Sequence, residues 1–427
     1  MSRVGLGPVG RVRSRVRVPG DKSISHRALV LNAVAEGTAM VRGLAPGADV
    51  GATLGALEAL GVTIERLGDD KVRVTGGAHW RAKHPIDCRN SGTTARLLLG
   101  LLASRASAPV TLIGDRSLSR RPMRRVVEPL RRMGAEIEPA DTLPLTVIGR
   151  PLTGAEHHLD VASAQLKTAL LLAGLAADGL TMVIEPGVSR DHTERVLAAM
   201  GARIERREKE VRVHPGDLTA LDIDVPGDLS SAAPFLALAA AREGSEIVVE
   251  EVGLNPTRTG FLDVLRAFGA EVETMVTVTE PEPCGEVRVM GAKLSGIDVD
   301  PEIVPRTIDE LPLIAVVATQ AEGLTRVRGA TELRVKESDR IEAIAAGLVR
   351  MGADIEIATD GFDIRGPTVL EGARLDAAGD HRIGMALAIG AALAQGGSTL
   401  DGTEWIDVSY PSFLTDLVSC AGVPVRV

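Results

Sequence analysis

An apolar helix tail, a glycine and then a strand of alternating polarity recur down the chain. The copies read LEALGVTIE (57–65), LRRMGAEIE (130–138), LAAMGARIE (197–205), LRAFGAEVE (265–273) and LVRMGADIE (348–356), with a degraded sixth, LVSCAGVPV (417–425). Their glycines, Gly61, Gly134, Gly201, Gly269, Gly352 and Gly422, stand roughly 70 residues apart, a spacing that marks an internal repeat. Glycine just past a last helical turn adopts the left-handed cap that side chains resist, and the alternation after it suits a half-buried strand. The pattern therefore predicts six copies of one α/β unit. Each unit also carries an earlier helix, starting near Asp21, Asn90, Ser163, Asp228, Asp309 or Asp380 and running as ALVLNAVA, ARLLLGLLA, TALLLAGLAA, APFLALAAA, LPLIAVVAT or GMALAIGAALA. Helices apolar on every face are buried ones.

A second repeat groups the six. VPGDKSISHRALVLNAVAEGTAMVRGL (18–44) and VPGDLSSAAPFLALAAAREGSEIVVEEVGL (225–254) share an opening tetrapeptide, a polar helix start and an EG turn into a strand, so each begins a set of three units. The expected fold class is α/β: two inside-out α/β domains, each of three βαβαββ-type units with its apolar helices at the centre. The strand RVRSRVRV (11–18), taken as the first of the chain, precedes the first VPGD and is assigned to the later set. That gives one discontinuous domain, 1–18 plus 227–427, and a second, 19–226, with hinge crossings near 18–21 and 225–228.

Composition narrows the function classes. At 427 residues, 45% hydrophobic and with a net charge of −9, the chain can bury two cores and lacks general basic character. Aromatics are only 2%, which argues against nucleic-acid binding by base stacking. The cysteines, Cys88, Cys284 and Cys420, are odd in number and lack metal-ligand spacing, pointing to a reducing cytoplasm with no disulfide framework and no metal site. The longest uncharged apolar run, 383–394, falls short of the roughly 20 residues a membrane helix needs. The Arg-rich N-terminus has strand period and is read as a strand rather than a transit peptide.

Polar residues gather where the apolar helices begin, and helix N-termini offer free N–H groups and the positive end of the dipole to anions. In VPGDKSISHR, Asp21 is placed to cap the helix, Lys22 and Ser23 fall in its first turn, and Arg27 shares a face with Ser23, where both can meet one oxyanion. LRVKESDRIEAI gathers Lys336, Glu337, Asp339 and Arg340 at a start capped by Ser338 or Asp339, with Lys336 and Arg340 four apart. GDHRIGM adds His381 and Arg382, and Asp309 heads TIDELPLIA, where an Asp ordinarily serves as a cap. SAQLKTALLLAGL places Ser163, Gln165 and Lys167 at a third start. NSGTTARLLLG does so with Asn90 and Gly92, whose missing Cβ lets a ligand approach backbone N–H groups. Arg121 precedes Pro122, which biases it to an extended, outward-reaching conformation. SRDHTERV holds Arg190 and His192, and a lone His there is ordinarily surface decoration. Each cluster alone could be a solvated, capped helix start. Seven at equivalent places in a repeat describe an anion site, enzymatic or a non-catalytic scaffold for anionic partners.

The motifs DKSISHR, NSGTTAR, SRRPM, SAQLKTALLLAGL, RDHTE, NPTR (255–258), LRVKESDR and GDHRIGMA resemble, in order and spacing, the 5-enolpyruvylshikimate-3-phosphate synthase family from about Val9 to the C-terminus. The resemblance implies the enolpyruvyl transferase fold and transfer of the enolpyruvyl group of phosphoenolpyruvate to the 5-hydroxyl of shikimate 3-phosphate. The reaction runs by addition and elimination, releases phosphate, needs no metal or organic cofactor, and lies on the route to chorismate and the aromatic amino acids. It further implies a cytoplasmic enzyme, expected to be a monomer, whose partners are those two small molecules and neither nucleic acid nor membrane. By the same resemblance Lys22, Ser23, Arg27, Ser163, Ala164, Gln165, Arg190, Asp309 and Lys336 hold shikimate 3-phosphate. Lys22, Gly92, Arg121, Gln165, Arg340 and Arg382 hold phosphoenolpyruvate. Asp309 is the candidate base for the 5-hydroxyl, Glu337 the candidate acid for the enol methylene, and Lys22 a cation at the reacting centre.

The GDKS, SAQ-x-K, R-x-H-x-E and N-x-T-R combination resembles the subgroup associated with glyphosate tolerance, yet tolerant members often carry Ala where this chain keeps Gly92. Many members also carry a Lys shortly before an aromatic-Pro pair near the C-terminus, whereas DVSYP (407–411) offers none. The rival of the same architecture is UDP-N-acetylglucosamine enolpyruvyl transferase. Those enzymes place a Cys ahead of an Arg-Pro pair, and GDRSLSRRP (114–122) has none.

Overall fold

In the computed structural model, which describes residues 2–77 and 80–426, all six repeat glycines close helices in the left-handed region, with φ from 64° at Gly422 to 105° at Gly269. The helices before them carry charged flanks and lie outside. The earlier helix of each repeat is central: Lys22–Val34, Gly92–Arg105 and Ala164–Gly174 in one set, Leu229–Ala241, Leu311–Ala318 and His381–Leu393 in the other. Most of their residues are buried, and within each set they pack on one another. One crossing is especially close. A Cβ at Gly100 would stand 2.1 Å from the Ala169 carbonyl oxygen, so the Gly92–Arg105 helix meets its neighbour backbone to backbone.

Besides a two-stranded parallel pair in the earlier set, Leu152–Thr153 with Ala177–Asp178, three sheets of three or four strands surround each trio among the described residues, most with a parallel outer strand joined to antiparallel ones. Ile86–Asp87, Val110–Ile113, Leu145–Ile148 and Glu136–Glu138 form one in that order, and Glu156–His158, Thr181–Ile184, Glu210–Val213 and Ile204–Arg207 form its equivalent. This is the βαβαββ unit. Where a trio begins, the outer strand is borrowed from elsewhere: Ile223–Asp224 pairs parallel with Thr38–Arg42, and Arg13–Arg17 pairs parallel with Glu246–Gly253, Val16 opposite Val249. The chain's first strand is not the 11–18 segment but Arg3–Leu6, which runs antiparallel to both Ser398–Asp401 and Val425–Arg426 and completes the last sheet. RVGL is too short to show a period.

Two compact units result. One comprises Met1–Pro19, Pro226–Thr279 and Pro283–Val427, the other Gly20–Val225 with Glu280–Glu282, and each has its own hydrophobic core. The sequence pattern put 280–282 with the later set. Glu282 is instead buried against His192, its carboxylate 2.9 Å from the ring Nδ1. The glycine of the first VPGD has a packing reason, since a Cβ at Gly20 would come 1.7 Å from the Gly43 carbonyl oxygen. Among the described residues no helix is long and apolar enough to cross a membrane.

Candidate active site

Within the unit built on Gly20–Val225, three helix starts carry the polar motifs. The Asp21 carboxylate accepts from the Ile24 N–H at 2.9 Å and caps the first helix. Lys22, in its opening turn, extends its ammonium to Asp49, 3.1 Å away. Arg27 lies one turn on from Ser23 in the same helix. It folds back to donate to the Ser23 carbonyl (2.9 Å), the Thr193 hydroxyl (2.7 Å), the Thr168 hydroxyl (2.9 Å) and the Ala164 carbonyl (3.3 Å), tying the first helix start to two others. Burial pulls its pKa down to about 10, against the pull of Glu194 and Asp21.

The cap of the second helix is Ser91, not Asn90: its hydroxyl accepts from the Thr94 N–H. Asn90 instead accepts from Arg121 at 2.6 Å, and Arg121 takes the extended conformation its proline neighbour demands, φ −76° and ψ 137°. Gly92 opens the helix beneath it, where a Cβ would lie 3.5 Å from an Arg121 nitrogen and 2.6 Å from one of Arg96. Arg96, which the sequence reading passed over, donates to the Gln165 side-chain oxygen at 2.8 Å, and Gln165 donates to the Thr93 hydroxyl at 2.9 Å. Its position four residues after Gly92 was the available signal. Ser163 caps the third helix, with Ala164 and Gln165 following, and its backbone N–H is held by Glu185. Arg190 precedes the His192–Ala199 helix, whose His192 is buried rather than at the surface.

The other unit gathers carboxylates about one guanidinium. Arg340 is buried and donates to Asp380 (2.7 Å), Glu337 (2.7 Å) and Asp309 (3.2 Å). Burial opposes its charge, but the three carboxylates outweigh that and hold it well above the ordinary guanidinium range. Asp339 caps the Arg340–Arg350 helix, accepting from the Ile341 and Glu342 N–H groups. Lys336 lies before that helix at the end of a 3-10 turn, so the four-residue spacing to Arg340 does not set both on one helical face. Asp309 is likewise no cap. It sits inside the Ile308–Glu310 turn that precedes its helix. Asp380 caps the last central helix by accepting from the Arg382 N–H at 2.8 Å, with His381 and Arg382 both buried. Glu310, also missed from sequence, receives Arg258 of the NPTR motif in two hydrogen bonds of 2.9 and 3.0 Å and lies 3.8 Å from Arg382.

Lysines, arginines and capped helix N-termini in one unit, and a guanidinium ringed by carboxylates in the other, suit polyanionic substrates and proton transfer. The sequence profile described as EPSP synthase (3-phosphoshikimate 1-carboxyvinyltransferase) matches residues 6–417. The chain belongs to the EPSP synthase family. Proteins named 3-phosphoshikimate 1-carboxyvinyltransferase from an Anaeromyxobacter species and a Synechococcus species are 49% and 47% identical to it, covering 95% and 96% of this chain and 95% of each relative. The solved EPSP synthase of Acinetobacter baumannii superposes with a TM-score of 0.90 at 38% identity, covering all of both chains. The enolpyruvyl transferase NikO of Streptomyces tendae, at 20% identity and a TM-score of 0.80 over 99% of this chain and 98% of its own, shares the fold. The α/β architecture read from the repeats is thus that of the EPSP synthase family.

Proposed function

We infer that this chain transfers the enolpyruvyl group of phosphoenolpyruvate to the 5-hydroxyl of shikimate 3-phosphate and releases phosphate, a step toward chorismate and the aromatic amino acids. Family membership across residues 6–417 carries the reading, and the chemistry of the two half-sites supports it. Shikimate 3-phosphate is taken by Lys22, Ser23, Arg27, Ser163, Ala164, Gln165 and Arg190, together with Asp309 and Lys336. Phosphoenolpyruvate is taken by Lys22, Arg121, Gln165, Arg340, Arg382 and the Gly92 backbone. A net-acidic protein binds two polyanions only where cations and helix N-termini converge.

Addition requires a proton on the methylene carbon of phosphoenolpyruvate, a bond from the 5-oxygen to its neighbouring carbon, and loss of the hydroxyl proton. On this reading Glu337 delivers the first proton and Asp309 accepts the second, giving a tetrahedral adduct. Elimination breaks the carbon–oxygen bond to phosphate and removes a proton from the new methyl group. An ion pair favours the charged form of both partners, so Glu337 can act as an acid only after Arg340, now 2.7 Å away, turns to the incoming anion. Substrate binding thereby arms the acid. Lys22 and Lys336 offset charge at the reacting centre.

The chain crosses between its units at Pro19–Gly20, at Val225–Pro226 and on either side of Glu280–Glu282, and the first two crossings are proposed to hinge as substrates bind. An unchanged radius of gyration with both ligands saturating would count against the hinge. The enzyme is proposed to work as a monomer in the cytoplasm. The deciding assay is phosphate release from phosphoenolpyruvate by the purified protein. Release must depend on shikimate 3-phosphate, and folded protein that releases none with both substrates present removes the reading.

A further inference from the structure

Two motif residues have no part in the chemistry above: Lys167 of SAQ-x-K and Glu194 of R-x-H-x-E. They meet in the core. The Lys167 ammonium lies 2.7 Å from Glu185 and 2.8 Å from Glu194, and all three side chains are 3% exposed or less. A buried ionic triad is no cheap source of stability, because apolar residues of similar volume often serve as well or better. Its placement suggests another use. Glu185 spends its other oxygen on the Ser163 backbone N–H (3.0 Å) and also accepts from the Ser189 hydroxyl (2.9 Å), beside Arg190. Glu194 follows Thr193, whose hydroxyl takes the Arg27 Nε–H at 2.7 Å.

We propose that Lys167 is a positioning residue for shikimate 3-phosphate, clamping Glu185 and Glu194 so that Ser163, Arg190 and Arg27 are held at their binding positions. The proposal rests on the substrate reading above. The ammonium is centred between two carboxylates that would otherwise repel each other; Glu185 holds the Ser163 N–H, and Glu194, next to Thr193, attracts the Arg27 guanidinium through its charge. Burial pulls the lysine pKa down, but Glu194 and Glu185 outweigh it and keep the pKa above its ordinary value, so the clamp stays charged at working pH. Arg27 faces Glu194, with Asp21, Arg190 and Glu282 also within its field.

Lys167→Met leaves two buried carboxylates with no cation between them, a state relieved by binding a proton. In this variant the KM for shikimate 3-phosphate at pH 8 should rise by about tenfold or more, while that for phosphoenolpyruvate stays within about twofold. The defect, taken relative to wild type at each pH, should shrink as pH falls toward 6. Lys167→Met combined with Glu194→Gln removes one charge of each sign and should restore the KM to within about threefold, without the pH dependence. Should Lys167→Met alone not fold, Glu185→Ala tests the same clamp by removing the acceptor of the Ser163 N–H. It predicts the same selective loss, about tenfold. Circular dichroism and wild-type phosphate release serve as controls. Inactive wild type indicts the substrate reading, whereas active wild type with unaltered or equally altered KM values in folded variants overturns the clamp. Failure of the double variant to recover would overturn it too.

Discussion

Asp309 and Glu337 reach the same guanidinium from positions 28 residues apart in sequence, so their roles can be separated only by chemistry. Asp309→Asn keeps a hydrogen-bonding group of the same shape and should retain shikimate 3-phosphate while losing about 10²–10⁴ in kcat. Glu337→Gln should bind both substrates but slow the entry of solvent deuterium into the enolpyruvyl methylene. Wild-type deuterium exchange in a folded Glu337→Gln enzyme would eliminate it as the acid. A different residue-scale test concerns His26. Its ring is fully buried, 2.7 Å from the Thr53 hydroxyl, which in turn lies 2.7 Å from that of Thr94. Burial drives its pKa down to about 3, helped by Lys22 and Arg27 against the pull of Asp49. The unfolded chain binds a proton on this histidine below pH ~6.5 and the folded chain does not until about 3. Its contribution is therefore constant above pH ~6.5 and is lost as pH falls through that window. Between pH 8 and 5 the loss should be about 2 kcal/mol. His26→Asn should flatten that part of the acid limb in urea titrations, and an unchanged slope would contradict the assignment.

At the scale of elements, the central helices depend on close approach. Gly100→Ala would set a methyl group 2.1 Å from the Ala169 carbonyl oxygen, a contact relieved only by parting two helices that carry site residues at their starts. Overpacking of this kind costs about 1–3 kcal/mol or more, and the expected outcome is a lower urea midpoint together with weaker binding at Gly92 and Gln165. A midpoint equal to wild type would show that the crossing yields. The helices themselves were legible because their signals are local: Asp21, Ser163, Asp228 and Asp380 all accept from N–H groups of the helices that follow them. Asp309 and Lys336 were misread because 3-10 turns precede or replace the helical starts that their spacing suggested. Nothing local reports that Asp380 and Asp309 join Glu337 around Arg340, or that Glu310 receives Arg258, since those partners meet only after the units have folded. The burial of His192 was hidden for the same reason.

For the whole molecule, the division into two sets of three repeats could be read from VPGD and the spaced glycines, whereas the terminal strand Arg3–Leu6 and the docking of 280–282 could not, because neither carries the repeat. Two units with separate cores should unfold as two transitions rather than one. Shikimate 3-phosphate is assigned chiefly to residues of the Gly20–Val225 unit, so alone it should stabilise that unit selectively. At a free concentration one hundred times its Kd the linkage amounts to about 2.7 kcal/mol, which for a unit of this size raises its transition by about 5–10 °C. Scanning calorimetry would read the shift, and hydrogen exchange would assign it to the helices beginning at Lys22, Gly92 and Ala164. Arg27→Ala should abolish most of the shift, since Arg27 bonds to the starts of two of those helices and to Thr193. An equal rise in both transitions, or a shift undiminished in Arg27→Ala, would mean that the first substrate is held by a different set of residues.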